Sequence, residues 1–512
     1  LCRARRFFET RRVRSPRRKN WSENRSPLCV LGALCVSLVA ARPRRVSSET
    51  SAALAFLHVI GTEVLWIFFA VTALLSLQSL AAEDYSVRLS QLTAKCDELG
   101  LKEQSEITRG WTIPRHSGRQ YLFLPAVTDP TAPKTTAPEA AKQWHRKFLE
   151  LRREQAAALF AEAKTASENK QPARAYQLLY EVLREDPDHA EARRILGYIK
   201  PANRPWTLPE AEKLAVEQPR APNQRLNWPA GLYFRLETPH FQIVSNHSKK
   251  EILEAGEQLE NLHTLWRQIF FRYWSSPEAL AARLAGRNEL LAPRRLAKMQ
   301  VVLFKTQSEY ATHVAAAHPK AARTLGLYDD KQKIAYFFAG TKSVYPTWYH
   351  EATHQMFQEA VAGTKEEPGQ QRNFWAVEAA ALYMESLAER AGYWTAGGCE
   401  ADRLQFARYR VLSGDLDLPL ARLIGFSRQD IQNSADIGRI YTQAAGIAHF
   451  LIDGESGQRR EAFVDLLTAI YRGEDTAETL ATAANAPLAK LDEMYRSFLI
   501  VTDEDLEHIP DR

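Results

Sequence analysis

Trp348-Tyr349-His350-Glu351-Ala352-Thr353-His354-Gln355-Met356-Phe357 is the stretch that decides how the chain folds around its chemistry. On an α-helix, His350 and His354 lie four residues apart, so their rings leave one face about 6 Å from each other. Two imidazole nitrogens so placed reach one zinc ion at about 2.0–2.1 Å. Glu351 sits about 100° round the helix, at the edge of the same face, where it can take a proton from a metal-bound water without being a ligand. Trp348, Tyr349, Met356 and Phe357 give the setting of a buried helix, and two histidines on a core face need a reason to be there.

A catalytic zinc site takes three protein ligands and leaves one position open for water. The HExxHxxGxxH solution is excluded, because Phe357 and Ala360 stand where Gly and the third His belong. Glu359 is nine residues from His350 and points about 180° away. Glu366 and Glu367 lie in the loop Thr364–Gly369. Glu378 remains, as the lone carboxylate in Asn373-Phe374-Trp375-Ala376-Val377-Glu378-Ala379-Ala380-Ala381-Leu382-Tyr383, and a buried Glu is rare unless paired or metal-bound. The turn between the two helices has the length for antiparallel packing. Glu385, two turns on, points the same way and reads as a supporting or surface group.

A helix bearing HExxH, followed some twenty residues later by Trp375-x-x-Glu378-x-x-Ala381-x-Tyr383, resembles the gluzincin clan of zinc peptidases, and more closely the bacterial peptidase-MA-like family. The resemblance spans about residues 228–500, including Glu237-Thr238-Pro239-His240-Phe241 and Tyr441–Leu451. It implies a mainly helical zincin-like domain with a small β-sheet, with His350, His354 and Glu378 as Zn2+ ligands, Glu351 as general base, and a peptide or protein substrate. Two departures stand out. The family's usual Glu-Gly is Glu378-Ala379 here, and thermolysin-like enzymes carry an acidic residue four positions after the ligand, where this chain has Leu382. The group that braces the ligands is therefore not identified.

Peptide hydrolysis also needs a donor for the oxyanion. In gluzincins a Tyr or His from a downstream helix supplies it, which makes Tyr441 the first choice. His449 lies about 80° from Tyr441 on the same helical pattern and reads as a core residue. Gly-x-Ser-x-Gly, Gly-x-x-x-x-Gly-Lys and Gly-x-Gly-x-x-Gly are all missing from the chain.

Around this centre the pattern is α+β. Phe241–Val244, Gln300–Phe304 and Ile334–Phe338 read as strands, Lys250 to Trp274 as helix, and nearly everything from Tyr345 onward as helix. Upstream, Tyr121–Pro125 reads as a strand and Asp129–Pro138 as a linker. Helical patterns cover Ala140–Ala166, Ala173–Arg184 and His189–Tyr198. The segment Ala156–Tyr198 resembles a tetratricopeptide-type hairpin, with Ala173, Tyr176, Leu179 and Leu183 on one face and Asp186-Pro187 breaking the chain. One such unit is too few for a solenoid, so it reads as an accessory module packed on its neighbour. The Pro-rich stretch Pro201–Pro229 supplies a boundary, giving expected units at 1–82, 83–225 and 226–505.

The net charge of +6 over 512 residues divides unevenly. Residues 1–82 carry a balance of +9 and the remainder −3, so the folded part offers no electrostatic case for a nucleic-acid partner. The first methionine is Met299, so no ordinary start codon marks this N-terminus, and the Arg-rich run Arg3–Arg25 carries little functional weight. The apolar runs Leu28–Ala41 and Val64–Leu77 are shorter than the about 20 residues of a membrane span, and the second ends in the small residues Ser79-Leu80-Ala81-Ala82. They are sized for a signal peptide, hence export to the periplasm or cell surface, with a membrane tether through 64–80 as the rival. Cys96 and Cys399 are the only cysteines beyond this leader and form no framework.

Two functional readings follow. One is an exported zinc metallopeptidase with a helical N-terminal module. The other is a catalytically inactive, peptidase-like scaffold whose helical module recruits a protein partner.

Overall fold

The computed structural model describes residues 84–500, apart from residue 117 and the stretches 203–204, 209–213, 292–296, 319–323, 341–343 and 416–417. The leader 1–82, with its signal-peptide and tether readings, lies outside the described residues. No described helix is long and apolar enough to cross a membrane.

The architecture is α+β. A six-stranded sheet runs in the order β2 (Ala215–Glu217), β3 (Phe234–Glu237), β4 (Phe241–Ser245), β5 (Met299–Phe304), β7 (Ile334–Phe338), β6 (Leu327–Asp329). The three inner strands β4, β5 and β7 are parallel, and the outer pairs are antiparallel. All five residues of Ile334-Ala335-Tyr336-Phe337-Phe338 are buried, as a strand covered on both faces requires. The side chains divide by the two-residue period of a strand. Phe337 stacks on Trp348 at 5.2 Å, whereas Tyr336 and Phe338 meet His313 and Tyr310 of the helix Gln307–Ala317.

The long helical patterns appear close to where they were expected. α1 (Glu139–Glu168) and α2 (Pro172–Glu185) form the helical hairpin. Twelve of the fourteen residues of α2 are buried, because it is enclosed on both sides: Tyr176 meets Phe271 at 4.9 Å and Trp274 at 5.4 Å. The helix expected over Lys250–Trp274 is α3 (Lys249–Ile269), capped by Ser248 Oγ on the Glu251 amide; it breaks at Phe270, where φ is −106° and ψ 41°. Beyond it come α4 (Tyr345–Glu359), α5 (Phe374–Met384), α6 (Asp402–Leu412), α7 (Ile437–Asp453) and α8 (Arg460–Arg472).

The run of helices after Tyr345 is interrupted, contrary to the sequence pattern. β8 (Ala388–Arg390) and β9 (Tyr393–Gly397) form a hairpin, and β1 (Arg119–Leu122) pairs antiparallel with β9 to give a second sheet in the order β1-β9-β8. The position expected as a boundary, near residue 225, falls inside one compact unit that begins at Glu83. β1 and β2 from the N-terminal side both enter sheets built with later strands, and one continuous apolar core runs from Leu122 to Leu499.

Candidate metal centre

α4 opens with Pro346 in its first turn, a position that has no partner for the missing N–H. It buries Trp348, Ala352, Met356 and Phe357 and leaves His350 and His354 half-buried on the side facing α5. Their rings meet edge to face at 4.8 Å, with the two Nε2 atoms 3.2 Å apart. Glu378 Oε2 completes the triangle, 3.5 Å from His350 Nε2 and 3.9 Å from His354 Nε2. Three ligands of a tetrahedral zinc with bonds of about 2.0–2.1 Å stand roughly 3.3 Å apart. The sides of this triangle bracket that value, so the residues fit the ion.

The electrostatics agree. Burial holds the His354 pKa down to about 4, reinforced by His350, so this imidazole is neutral at pH 7. Burial also opposes a charge on His350, but hydrogen bonds to Glu378 and Glu385 outweigh it and raise its pKa to about 10. For Glu378, burial would favour the neutral acid, yet His350, His354 and Tyr441 together hold its pKa below the ordinary value. The triangle therefore favours a positive charge between its donor atoms: a proton at His350 Nε2, or a cation in exchange for it.

Glu351 faces the same space from one residue on. Its Oε2 accepts a hydrogen bond from the Tyr328 amide of edge strand β6 at 2.8 Å, which leaves Oε1 for other partners. Burial raises its pKa, against the pull of His350 and the Tyr328 amide. The approach of the chain leading into β6 depends on Gly326: a Cβ there would lie 3.2 Å from Glu351 Cγ and 3.1 Å from Thr347 Cγ2.

Glu385, at the end of α5, supplies the support that the sequence did not identify. One of its oxygens lies 2.9 Å from His350 Nδ1, so His350 donates there and presents Nε2 to the triangle. It stands seven residues after Glu378 rather than four, two full turns along the same face, where Leu382 cannot serve. Arg403 binds the other side of this carboxylate, with Nε 2.8 Å from Oε2 and Nη2 3.1 Å from Oε1. Tyr441, on α7, shares a hydrogen bond with Glu378; burial and that carboxylate raise its pKa, so the phenol keeps its proton.

The remaining carboxylates that the sequence weighed lie elsewhere. Glu359 accepts from the Tyr328 hydroxyl, and Glu367 pairs with Lys331. His449 is fully buried against Tyr383 and Asp453. Cys96 and Cys399 are not joined. A second group of His and Glu, which the sequence reading missed, brings together His240, Glu260 and His263. Here Glu260 accepts from Thr238 Oγ1, the His240 amide and His240 Nδ1, and the two rings lie face to face at 3.7 Å. Lone pairs in near-parallel ring planes do not converge on one point, so this group fastens the β3–β4 turn to α3.

No protein-family model matches the chain, and no curated protein matches it.

Proposed function

We propose that the protein is a zinc-dependent metallopeptidase, with His350, His354 and Glu378 holding the ion. The observation that carries this reading is the triangle of 3.2, 3.5 and 3.9 Å between the three donor atoms, with the Glu351 carboxylate beside it. When bound, zinc supplies a water acidified to near neutral pH and a Lewis acid for the substrate carbonyl. Glu351, anchored through Oε2, accepts a proton at Oε1 and delivers it to the leaving amine; its raised pKa suits a group that must both take and give. Tyr441 keeps its phenolic proton and offers it as a hydrogen bond to the oxygen on which charge develops. Glu385 fixes the tautomer of His350. Peptide as the substrate class is supported by the resemblance of the two helices to gluzincins.

The test combines metal analysis of the full chain with assays on a mixed peptide library, for wild type and Glu351→Gln. Expected are one zinc per chain in both proteins and cleavage by wild type alone, the variant losing about 10²-fold or more. A wild type that stays metal-free in excess zinc sinks the ligand assignment. Zinc in both with cleavage in neither leaves the scaffold reading.

A further inference from the structure

We infer that Arg403 is a positioning residue for the metal ligands, acting through Glu385; this rests on the metal reading above. The sequence carries no signal for it, because Arg403 lies 25 residues beyond Glu378 in the first turn of a helix with an ordinary mixed pattern.

The physical case begins with three carboxylates, Glu351, Glu378 and Glu385, gathered around two imidazoles. Glu385 is only 16% exposed and lies between His350 and Arg403. A rotated Glu385 would no longer fix Nδ1–H on His350, and Nε2 would lose its defined lone pair.

Geometry adds what charge alone cannot. The guanidinium contacts both oxygens of Glu385 through two different nitrogens, so a planar fork sets the plane of the carboxylate. Oε1 is shared between Arg403 Nη2 at 3.1 Å and His350 Nδ1 at 2.9 Å, which ties ring and fork to one atom. The helix that carries Arg403 is itself fixed. Leu404 and Ala407 are fully buried, and Arg408 Nη1 donates to the Cys399 carbonyl at 2.9 Å, holding the turn that leads into α6. An ordinary exposed ion pair contributes little, but here the pair is bidentate and one partner is buried against a ligand.

The experiment measures zinc affinity of the full chain by chelator competition. The variants are Arg403→Ala, Arg403→Lys, Glu385→Ala and the double variant Arg403→Ala/Glu385→Ala, with Arg410→Ala as control. Arg410 trims the same helix but pairs with Asp415. Loss of such an outer partner costs metal affinity about 10–100-fold. Arg403→Ala is expected in that range, Arg403→Lys between it and wild type, and Arg410→Ala within about twofold of wild type. Because Arg403 acts through Glu385, the double variant binds no more weakly than Glu385→Ala alone. The d–d spectrum of the cobalt-loaded protein shifts in Arg403→Ala and not in Arg410→Ala. Wild-type affinity in Arg403→Ala, or a loss that adds in full to that of Glu385→Ala, overturns the proposal. A wild type that takes no zinc overturns the metal reading, and this proposal with it. Should Arg403→Ala fail to fold, Arg403→Lys carries the same comparison.

Discussion

Tyr441 is where one side chain has two jobs to divide. Its hydroxyl shares a hydrogen bond with Glu378, and in the function proposed above it also donates to the oxyanion. If the donor role dominates, Tyr441→Phe lowers kcat by about 10²-fold while zinc affinity changes by less than about threefold; initial rates and chelator competition on one preparation separate the two. At this scale much of the site was legible. His350, Glu351 and His354 announce themselves by spacing. Glu378 stands out because all eleven residues of Phe374–Met384 are buried and it is the only carboxylate among them, and an unpaired charge there would be costly. Glu385 was visible as a residue, with its role open between support and surface, since its meaning depends on which ring nitrogen it meets. Arg403 and the Tyr328 amide were invisible: the first looks like any surface arginine, and the second is backbone, which carries no side-chain signature.

Among the elements, α6 and α7 cross closely at Gly446. A Cβ on Gly446 would lie 2.6 Å from Ala407 Cβ and 2.5 Å from the Tyr495 hydroxyl. Ala407 has no rotamer by which to withdraw, so the two helix backbones must part. Alanine gains about 1 kcal/mol of helix preference over glycine, but overpacking costs about 1–3 kcal/mol. Gly446→Ala is therefore expected to destabilise, read as a lower urea midpoint at unchanged m-value, and by moving α6 to weaken the hold on Glu385. Long helices and the strands Phe241–Ser245, Met299–Phe304 and Ile334–Phe338 were legible from their periods because packing and local preference agree there. The hairpin Ala388–Gly397 was not: β8 is three residues, Ala-Glu-Arg, with little β-preference, and it exists because β9 is already fixed by β1. β2, also three residues, lies hidden in a Pro-rich stretch that advertises only turns.

For the molecule as a whole, composition marked a seam near residue 225 that packing does not respect. Pro-rich chain reports on local conformation, whereas a domain boundary is a matter of which surfaces are shared. Leu122 and Phe123 are almost fully buried, Gln268 Nε2 donates to the Phe123 carbonyl at 2.9 Å, and the buried Arg460 donates to Gln120 Oε1 at 3.0 Å. Removing residues before 226 strips these partners and uncovers the core they pack on; the hydrogen bond from the Arg460 guanidinium to Gln120 alone contributes about 1.5–3 kcal/mol. The fragment 226–512 is thus expected to lack a near-UV circular dichroism signal and to be cut rapidly by protease, while 83–512 resists; a well-folded 226–512 would restore the seam. The pairing of Arg119–Leu122 with Tyr393–Gly397 has one further consequence, for the order of events on the ribosome. The early strand emerges roughly 270 residues before its partner, which at about 5–20 residues per second is a wait of tens of seconds. Until then Leu122 and Phe123 lack the strand that pairs beside them, and the candidate site on α4 and α5 is complete only once α7 with Tyr441 has been made.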